Sequence, residues 1–468
     1  MLEISFMYDS NSKEPMYIQL YTFLKEEIKS GRISAGEKLP SKRKLSTHLG
    51  ASINTIQTAY EQLSAEGYIN SQFRKGYFVN ELDYDVCKDT CHPSVHLPTH
   101  AEIENIEYDF SHGKIDLSVF PYAIWKRLTM ETIHKDNGEL FLNGDEQGEL
   151  LLREQIRLYL YQSRGVNCTA DQIIIGSGTQ YIIQLLCLVL GDNQKIAFEN
   201  PGFHRTRAVF QNNRMEMIPI SLDEYGINIH QLRSHFVKAA YVTPSHQFPI
   251  GMIMPITRRL ELLQWAEEQQ SFIIEDDYDG EFRYKGKPIP SLQGLDKNDR
   301  VIYCGTFSKS LLPSLRISYM VLPKQLMATY KRKCSIYKQT VSRLHQHTLY
   351  LFMQKGHWNT HLNRVRTLYR KKHQVLMTSL QNHMPDITVL GNYSGLHILL
   401  QFSNSYSETA LIKKAANARV KVYPSSIYYH NHINKNPAIL LGFAGLTCKE
   451  IESGILRLNE AWFSSETK

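Results

Sequence analysis

The chain has 468 residues, enough for two or three domains with substantial cores, and its 42% hydrophobic and 21% charged residues exclude global disorder. A formal net charge of +7 at pH 7 is a weak pointer to a polyanionic partner. The longest apolar run, Tyr181 to Leu190, is interrupted by Gln184 and is too short to span a bilayer. The start, Met-Leu-Glu-Ile-Ser, lacks the basic-then-apolar order of a signal peptide, so a cytoplasmic protein with no membrane partner is expected. Among the seven cysteines only Cys87-x-x-x-Cys91-His92 is clustered. Without a second pair it makes no zinc set, so free thiols and no metal site are expected.

Residues 15–80 read as three helices and a hairpin. Tyr17, Leu20, Tyr21, Leu24 and Ile28 recur at helical spacing, with Gly31 as a stop. A second, short helix starts behind Pro40-Ser41 and ends at Leu49-Gly50. The third starts at the Ser52 cap and carries Ile56, Ala59, Tyr60 and Leu63 on one face up to Gly67. Tyr68-Ile69 and Tyr77-Phe78-Val79 flank Arg74-Lys75-Gly76 as a two-stranded wing.

This order predicts a winged helix-turn-helix domain over 1–80, with its third helix entering the major groove of operator DNA. The buried face leaves Asn54, Gln57 and Thr58 pointing outward, where amides suit adenine edges. Ser52 and Thr55 join them as candidate DNA contacts, and Lys42, Arg43, Lys44, Arg74 and Lys75 would neutralise phosphates. Periodicity fades from about residue 81 to 107, which reads as an interdomain linker.

From residue 108 to the C-terminus, short apolar runs alternate with helical segments: 172–175, 195–198, 239–242, 272–275 and 301–304. That alternation predicts a multidomain chain whose second part is α/β, a mostly parallel sheet covered by helices. Long helices after Met327 and β-rich pieces at 396–402 and 420–423 add a smaller α+β lobe.

The most informative stretch is Gly305-Thr306-Phe307-Ser308-Lys309-Ser310, with Arg316 seven residues beyond Lys309, behind the acidic run Glu275-Asp276-Asp277-Tyr278-Asp279. A lysine amine, a cluster of hydroxyls with an arginine, and an upstream carboxylate are the parts needed to hold pyridoxal 5′-phosphate. Gly176-Ser177-Gly178-Thr179-Gln180 closes a strand and opens a helix, a second place for the phosphate.

Leu39-Pro40-Ser41-Lys42-Arg43-Lys44-Leu45 through Ala65-Glu66-Gly67-Tyr68 resembles the winged helix of GntR-family bacterial regulators, although Ile53 stands where that family usually has arginine. The second part resembles fold-type I aminotransferases. That resemblance implies Lys309 as the Schiff-base lysine, Asp276 facing the pyridine nitrogen and Tyr278 on the ring hydroxyl. It also implies Phe203 stacked on the ring, with Thr306, Ser308, Arg316, Ser177, Gly178, Thr179 and Gln180 about the phosphate.

Together the parts resemble the MocR/GabR regulators over essentially the full length, with Thr243-Pro244-Ser245-His246-Gln247-Phe248-Pro249-Ile250-Gly251 especially similar. The resemblance implies a homodimer, with RNA polymerase as a further candidate partner. Two departures concern the chemistry. Phe248 stands where true aminotransferases carry asparagine, and Leu440 to Leu446 holds no arginine for a substrate carboxylate, leaving Arg205 as the candidate effector contact. No catalytic residue is expected. The effector is either an amine or amino acid adding at Lys309, or pyridoxal phosphate itself, as in the PdxR branch. An active aminotransferase with a DNA-binding appendage is the alternative that these two departures weigh against.

Overall fold

The computed structural model describes residues 6, 8–9, 14–81, 106–284, 289–403, 406–430 and 437–463. It divides the chain into two compact units, Met1–Glu102 and Ile103–Lys468. Most of the expected linker, with Cys87, Cys91 and His92, lies outside the described residues.

In the first unit, helices Met16–Lys29, Lys42–Leu49 and Ile53–Ala65 precede antiparallel strands Ile69–Gln72 and Gly76–Val79. Leu20, Leu24, Ile28, Ile56, Tyr60 and Leu63 meet in its core. Two serine caps start the second and third helices: Ser41 accepts from the Lys44 amide at 3.3 Å and Ser52 from the Thr55 amide at 3.1 Å. Gly50, at φ +63°, turns the chain between them, so a β-carbon there would be strained.

The second unit is built on an eight-stranded sheet. Its order is Ile173–Ser177, Ile317–Val321, Val301–Thr306, Phe272–Asp277, Ala239–Val242, Lys195–Asn200, Glu216–Asp223 and Gly226–Ile227. Ile317–Val321 runs antiparallel to both neighbours and Gly226–Ile227 runs antiparallel to Glu216–Asp223; the other pairings are parallel. Helices on both faces bury the central strands completely, which is why Phe272-Ile273-Ile274 is a continuous apolar run rather than an alternating one. In such sheets ligands bind beyond the carboxyl ends of the strands, and this one ends in Glu275-Asp276-Asp277.

The two-residue period of a strand then sends consecutive acids to opposite faces. Asp277 pairs with Arg164 at 2.6 Å and accepts from Tyr303 at 2.7 Å, away from the face that Asp276 serves. A smaller four-stranded antiparallel sheet follows, ordered Thr388–Leu390, His397–Gln401, Ala438–Gly442 and Tyr423–Pro424. Helices His357–His383 and Cys448–Phe463 pack beside it. Cys168, Cys187, Cys304, Cys334 and Cys448 are free thiols. Among the described residues no helix is long and apolar enough to cross a membrane.

Candidate functional site

A cavity of about 240 Å³ opens at the carboxyl ends of the central strands. It is lined by Lys309, Asp276, Tyr278, Arg316, Thr306 and Ser308, together with Thr179, Gln180, Phe203 and Arg205. Of these, Thr179 and Arg316 stand 137 positions apart in the chain, brought together because strand ends and a helix start converge there. Of the residues expected to surround a cofactor, Ser177 and Gly178 do not line the cavity. The Ser177 carbonyl instead accepts from Arg316 at 3.4 Å, and Gly178, at φ +93°, packs its bare Cα against the guanidinium.

One end of the cavity is built for an anion. The helix Thr179–Leu190 points its first amides there, and such amides lack intrahelical acceptors. Thr306 donates to Ser308 at 3.0 Å and accepts from Ser318 at 2.9 Å, fixing the hydroxyls in one cluster. Arg316 sits at φ +54° immediately after the Pro313–Leu315 turn. Among the described residues the long contact to Ser177 is its one hydrogen bond, so most of its donors remain available to a ligand.

The other end holds a buried carboxylate and a buried amine. Asp276 is bonded by the Tyr241 hydroxyl, a neutral donor. Burial, with Asp277 and Asp279 nearby, raises its pKa to about 7. A buried carboxylate so placed gains most from a cationic N–H partner, which a protonated pyridine nitrogen provides. The Lys309 amine donates to the His112 carbonyl, and burial lowers its pKa to about 8 while Asp279 opposes the shift.

Below about pH 8 the amine is protonated and unreactive; above it the amine is free. Capture of an aldehyde by the protein should therefore quicken with pH and level off above about 8, which stopped-flow mixing across pH 6–9.5 would check. The same lowered pKa means that between about 8 and the ordinary 10.5 the unfolded chain holds a proton the folded chain lacks. This amine's contribution therefore makes stability rise with pH across that window.

Phe203 meets its expected place only in part. One face of its ring lies flat on Phe248, 3.9 Å between centroids and 4° between planes, and its edge meets Tyr278 at 4.9 Å, so one face is left for a ligand ring. Sequence reasoning missed three residues. His112 lines the cavity with its Nδ1 unpartnered and its pKa pushed down to about 3 by burial and by Lys309, Arg205 and His204. Thr206 lines it as well, and Tyr241 orients Asp276. His112 lies 197 positions from Lys309, and no local pattern marks it.

In the winged helix, Arg43, Lys44, Arg74 and Lys75 are exposed, and Lys42 is half-buried. Arg74 turns the hairpin at φ +61° with its guanidinium 5.1 Å from the ring of Phe73. The outward face of the Ile53–Ala65 helix is more committed than its sequence implies. Gln57 donates to Glu61 at 2.7 Å and accepts from Lys42 at 3.4 Å, so its amide is not free as expected. Thr58 bonds the Asn54 carbonyl at 2.9 Å, and Ser52 and Thr55 bond each other at 2.9 Å. Asn54 is exposed and among the described residues its side chain has no internal hydrogen bond; beside it Ile53 is 46% exposed.

The comparisons with known proteins match this division. Residues 16–79 fit the model of bacterial regulatory proteins of the gntR family, and residues 107–458 that of class I and II aminotransferases. The chain belongs to the MocR subfamily of GntR-type transcription regulators. This regulator is 47% identical to the uncharacterized helix-turn-helix regulator YdeL of Bacillus subtilis, over 96% of this chain and 97% of the other. It is 32% identical to the probable rhizopine catabolism regulatory protein MocR of Rhizobium meliloti, covering 98% and 96%. It is also 32% identical to the pyridoxine biosynthesis regulator PdxR of Corynebacterium glutamicum, covering 83% and 84%. Among solved structures it resembles the kynurenine aminotransferase of Pyrococcus horikoshii, at 26% identity and a TM-score of 0.70 over 76% of this chain and 90% of that one.

A β-branched apolar group beside a free amide, as Ile53 and Asn54 are, suits a thymine methyl next to an adenine edge. Ile53→Arg should move preference at one operator position from A·T toward G·C, by roughly 1–3 kcal/mol. Selection of bound sequences from a randomised pool would show whether that position changes.

Proposed function

We propose that this regulator binds operator DNA through its winged helix and holds pyridoxal 5′-phosphate at Lys309, and that loading of the cavity alters DNA affinity. The observation that carries this reading is the convergence of a buried low-pKa amine, a buried carboxylate and an anion cradle in one cavity of a DNA-binding chain. Bound there, the cofactor supplies an electrophilic carbon that captures amines reversibly.

Each cavity residue then has a defined task. Arg316, the Thr306 and Ser308 hydroxyls and the amides of Thr179 and Gln180 hold the phosphate. Asp276 keeps a proton on the ring nitrogen, with Tyr241 fixing the carboxylate's direction. Tyr278 presents its phenol oxygen as an acceptor to the ring hydroxyl, and the open face of Phe203 limits ring tilt. Arg205, exposed at the cavity edge, is the anion contact for an effector.

One cation there rather than two, in a chain whose relatives bear regulators' names, supports a sensor over an efficient aminotransferase. Two signals fit: an amine entering beside Arg205, or the cofactor itself, the second supported by the likeness to PdxR. Either must bind two arrangements of the protein unequally to change DNA affinity. A homodimer is also part of this reading. Exposed apolar side chains crowd 122–161, including Tyr122, Met130, Phe141, Leu142, Leu151 and Tyr161, as a partner-facing surface requires.

The test of cofactor attachment is chemical. After mixing with pyridoxal phosphate and reduction with borohydride, peptide mass spectrometry should place the added mass on Lys309. No added mass, or mass spread over surface lysines, contradicts the assignment.

A further inference from the structure

Behind the cavity wall lies a buried polar group that the tasks above leave unused. His246 and Asp279 are each about 1% exposed. The His246 Nδ1 lies 2.9 and 3.2 Å from the two oxygens of Asp279. The Tyr278 hydroxyl lies 3.0 Å from that same Nδ1 and 3.0 Å from the His246 carbonyl, to which it donates. The other ring nitrogen, Nε2, has no partner. Two left-handed glycines make room for the ring: a β-carbon on Gly251 (φ +79°) would lie 3.1 Å from Nε2, and one on Gly395 (φ +76°) would collide with the imidazole. His397 closes the third side, 4.7 Å away by ring centroids, its own Nε2 committed to the Pro249 carbonyl at 3.1 Å.

This arrangement is costly unless it does something. An unpartnered buried ring nitrogen disfavours the fold, and Asp279 meets the ring only at its other nitrogen, Nδ1. The carboxylate settles the tautomer, placing the proton on Nδ1. That N–H then lies between the carboxylate and the Tyr278 oxygen, while the phenol's own proton goes to the His246 carbonyl. One residue thus holds the phenol group from two sides and leaves the phenol oxygen, not the imidazole, a lone pair for the cavity.

We propose that His246, oriented by Asp279, is a positioning residue that fixes Tyr278 at the cavity wall and so sets how the regulator grips the cofactor's ring oxygen. The proposal rests on the cofactor reading above and concerns a residue with no contact of its own to the cavity. His246→Leu should weaken binding of pyridoxal phosphate by about tenfold, the worth of one oriented hydrogen bond, and shift the absorption maximum of the bound cofactor. His246→Asn, whose amide can place an N–H near the Nδ1 position, should restore most of both.

The decisive experiment is a double-mutant cycle by absorbance titration of the full-length protein, with Tyr278→Phe as the second change. If His246 acts through the phenol, His246→Leu has little further effect once Tyr278 is Phe. An undiminished tenfold loss in that background, or an Asn variant as impaired as Leu, overturns the proposal. Thermal melting of each apo variant is run alongside. Should the Leu variant not fold, Asp279→Asn, which removes the group orienting the imidazole, carries the same cycle, and absence of coupling to Tyr278 overturns the proposal equally. Lys309→Ala controls separate the two readings: cofactor uptake lost with Lys309 but indifferent to His246 refutes this inference alone, whereas wild type that takes up none refutes the cofactor reading.

Discussion

Arg316→Gln should weaken capture of pyridoxal phosphate by two orders of magnitude or more, while leaving capture of pyridoxal, which lacks the phosphate, nearly unchanged. The guanidinium meets one weak internal acceptor at 3.4 Å and otherwise faces the cavity beside the start of the Thr179–Leu190 helix. Each charge-assisted hydrogen bond is worth about 1.5–3 kcal/mol, and a planar guanidinium can give a phosphate two. Glutamine keeps one neutral donor and loses the charge. Paired titrations with the two aldehydes settle the matter, because a general collapse of the pocket would weaken both equally. Equal losses for both would mean that Arg316 supports the fold and the phosphate is held elsewhere.

Replacing Lys42, Arg43 and Lys44 together by glutamine should flatten the salt dependence of operator binding. Arg43 and Lys44 are exposed at the start of a serine-capped helix, where solvent-facing cations can meet phosphates. Lys42 is tethered to Gln57 at 3.4 Å and would have to exchange that contact for DNA. Each phosphate neutralised contributes about 0.9 to the slope of log affinity against log salt. Three contacts then make wild type lose about 40-fold more affinity than the variant between 50 and 200 mM salt. Preference for operator over random DNA should change little, since phosphate contacts position and do not read bases. A slope identical to wild type would make this turn an ordinary solvated face.

What the sequence made legible and what it hid divide along one physical line. Lys309, Thr306, Ser308 and Arg316 stand within eleven residues of one another, and Asp276 near the end of one strand is followed just beyond it by Tyr278, so their order announced a shared cavity. His112 and Tyr241 act across 197 and 35 positions, where only the sheet order of the fold brings them in. The antiparallel Ile317–Val321 strand was equally hidden: as a fully buried five-residue run its period carries no direction, so alternation alone pointed to parallel pairing. On the Ile53–Ala65 helix the buried face was readable from period 3.6. Which outward side chains were already engaged was not, because the Gln57 amide is held by Lys42 of the neighbouring helix and by Glu61 one turn on.

The central claim is that loading at Lys309 alters DNA affinity. Its most direct test is operator binding by the apo protein at fixed salt, titrated with pyridoxal phosphate, with Lys309→Ala in parallel. The account expects affinity or footprint to change in wild type and to stay constant in the variant, with an added amine effector modifying that change if the amine is the signal. Identical binding by wild type with and without cofactor, and with candidate amines added to the loaded protein, would contradict it.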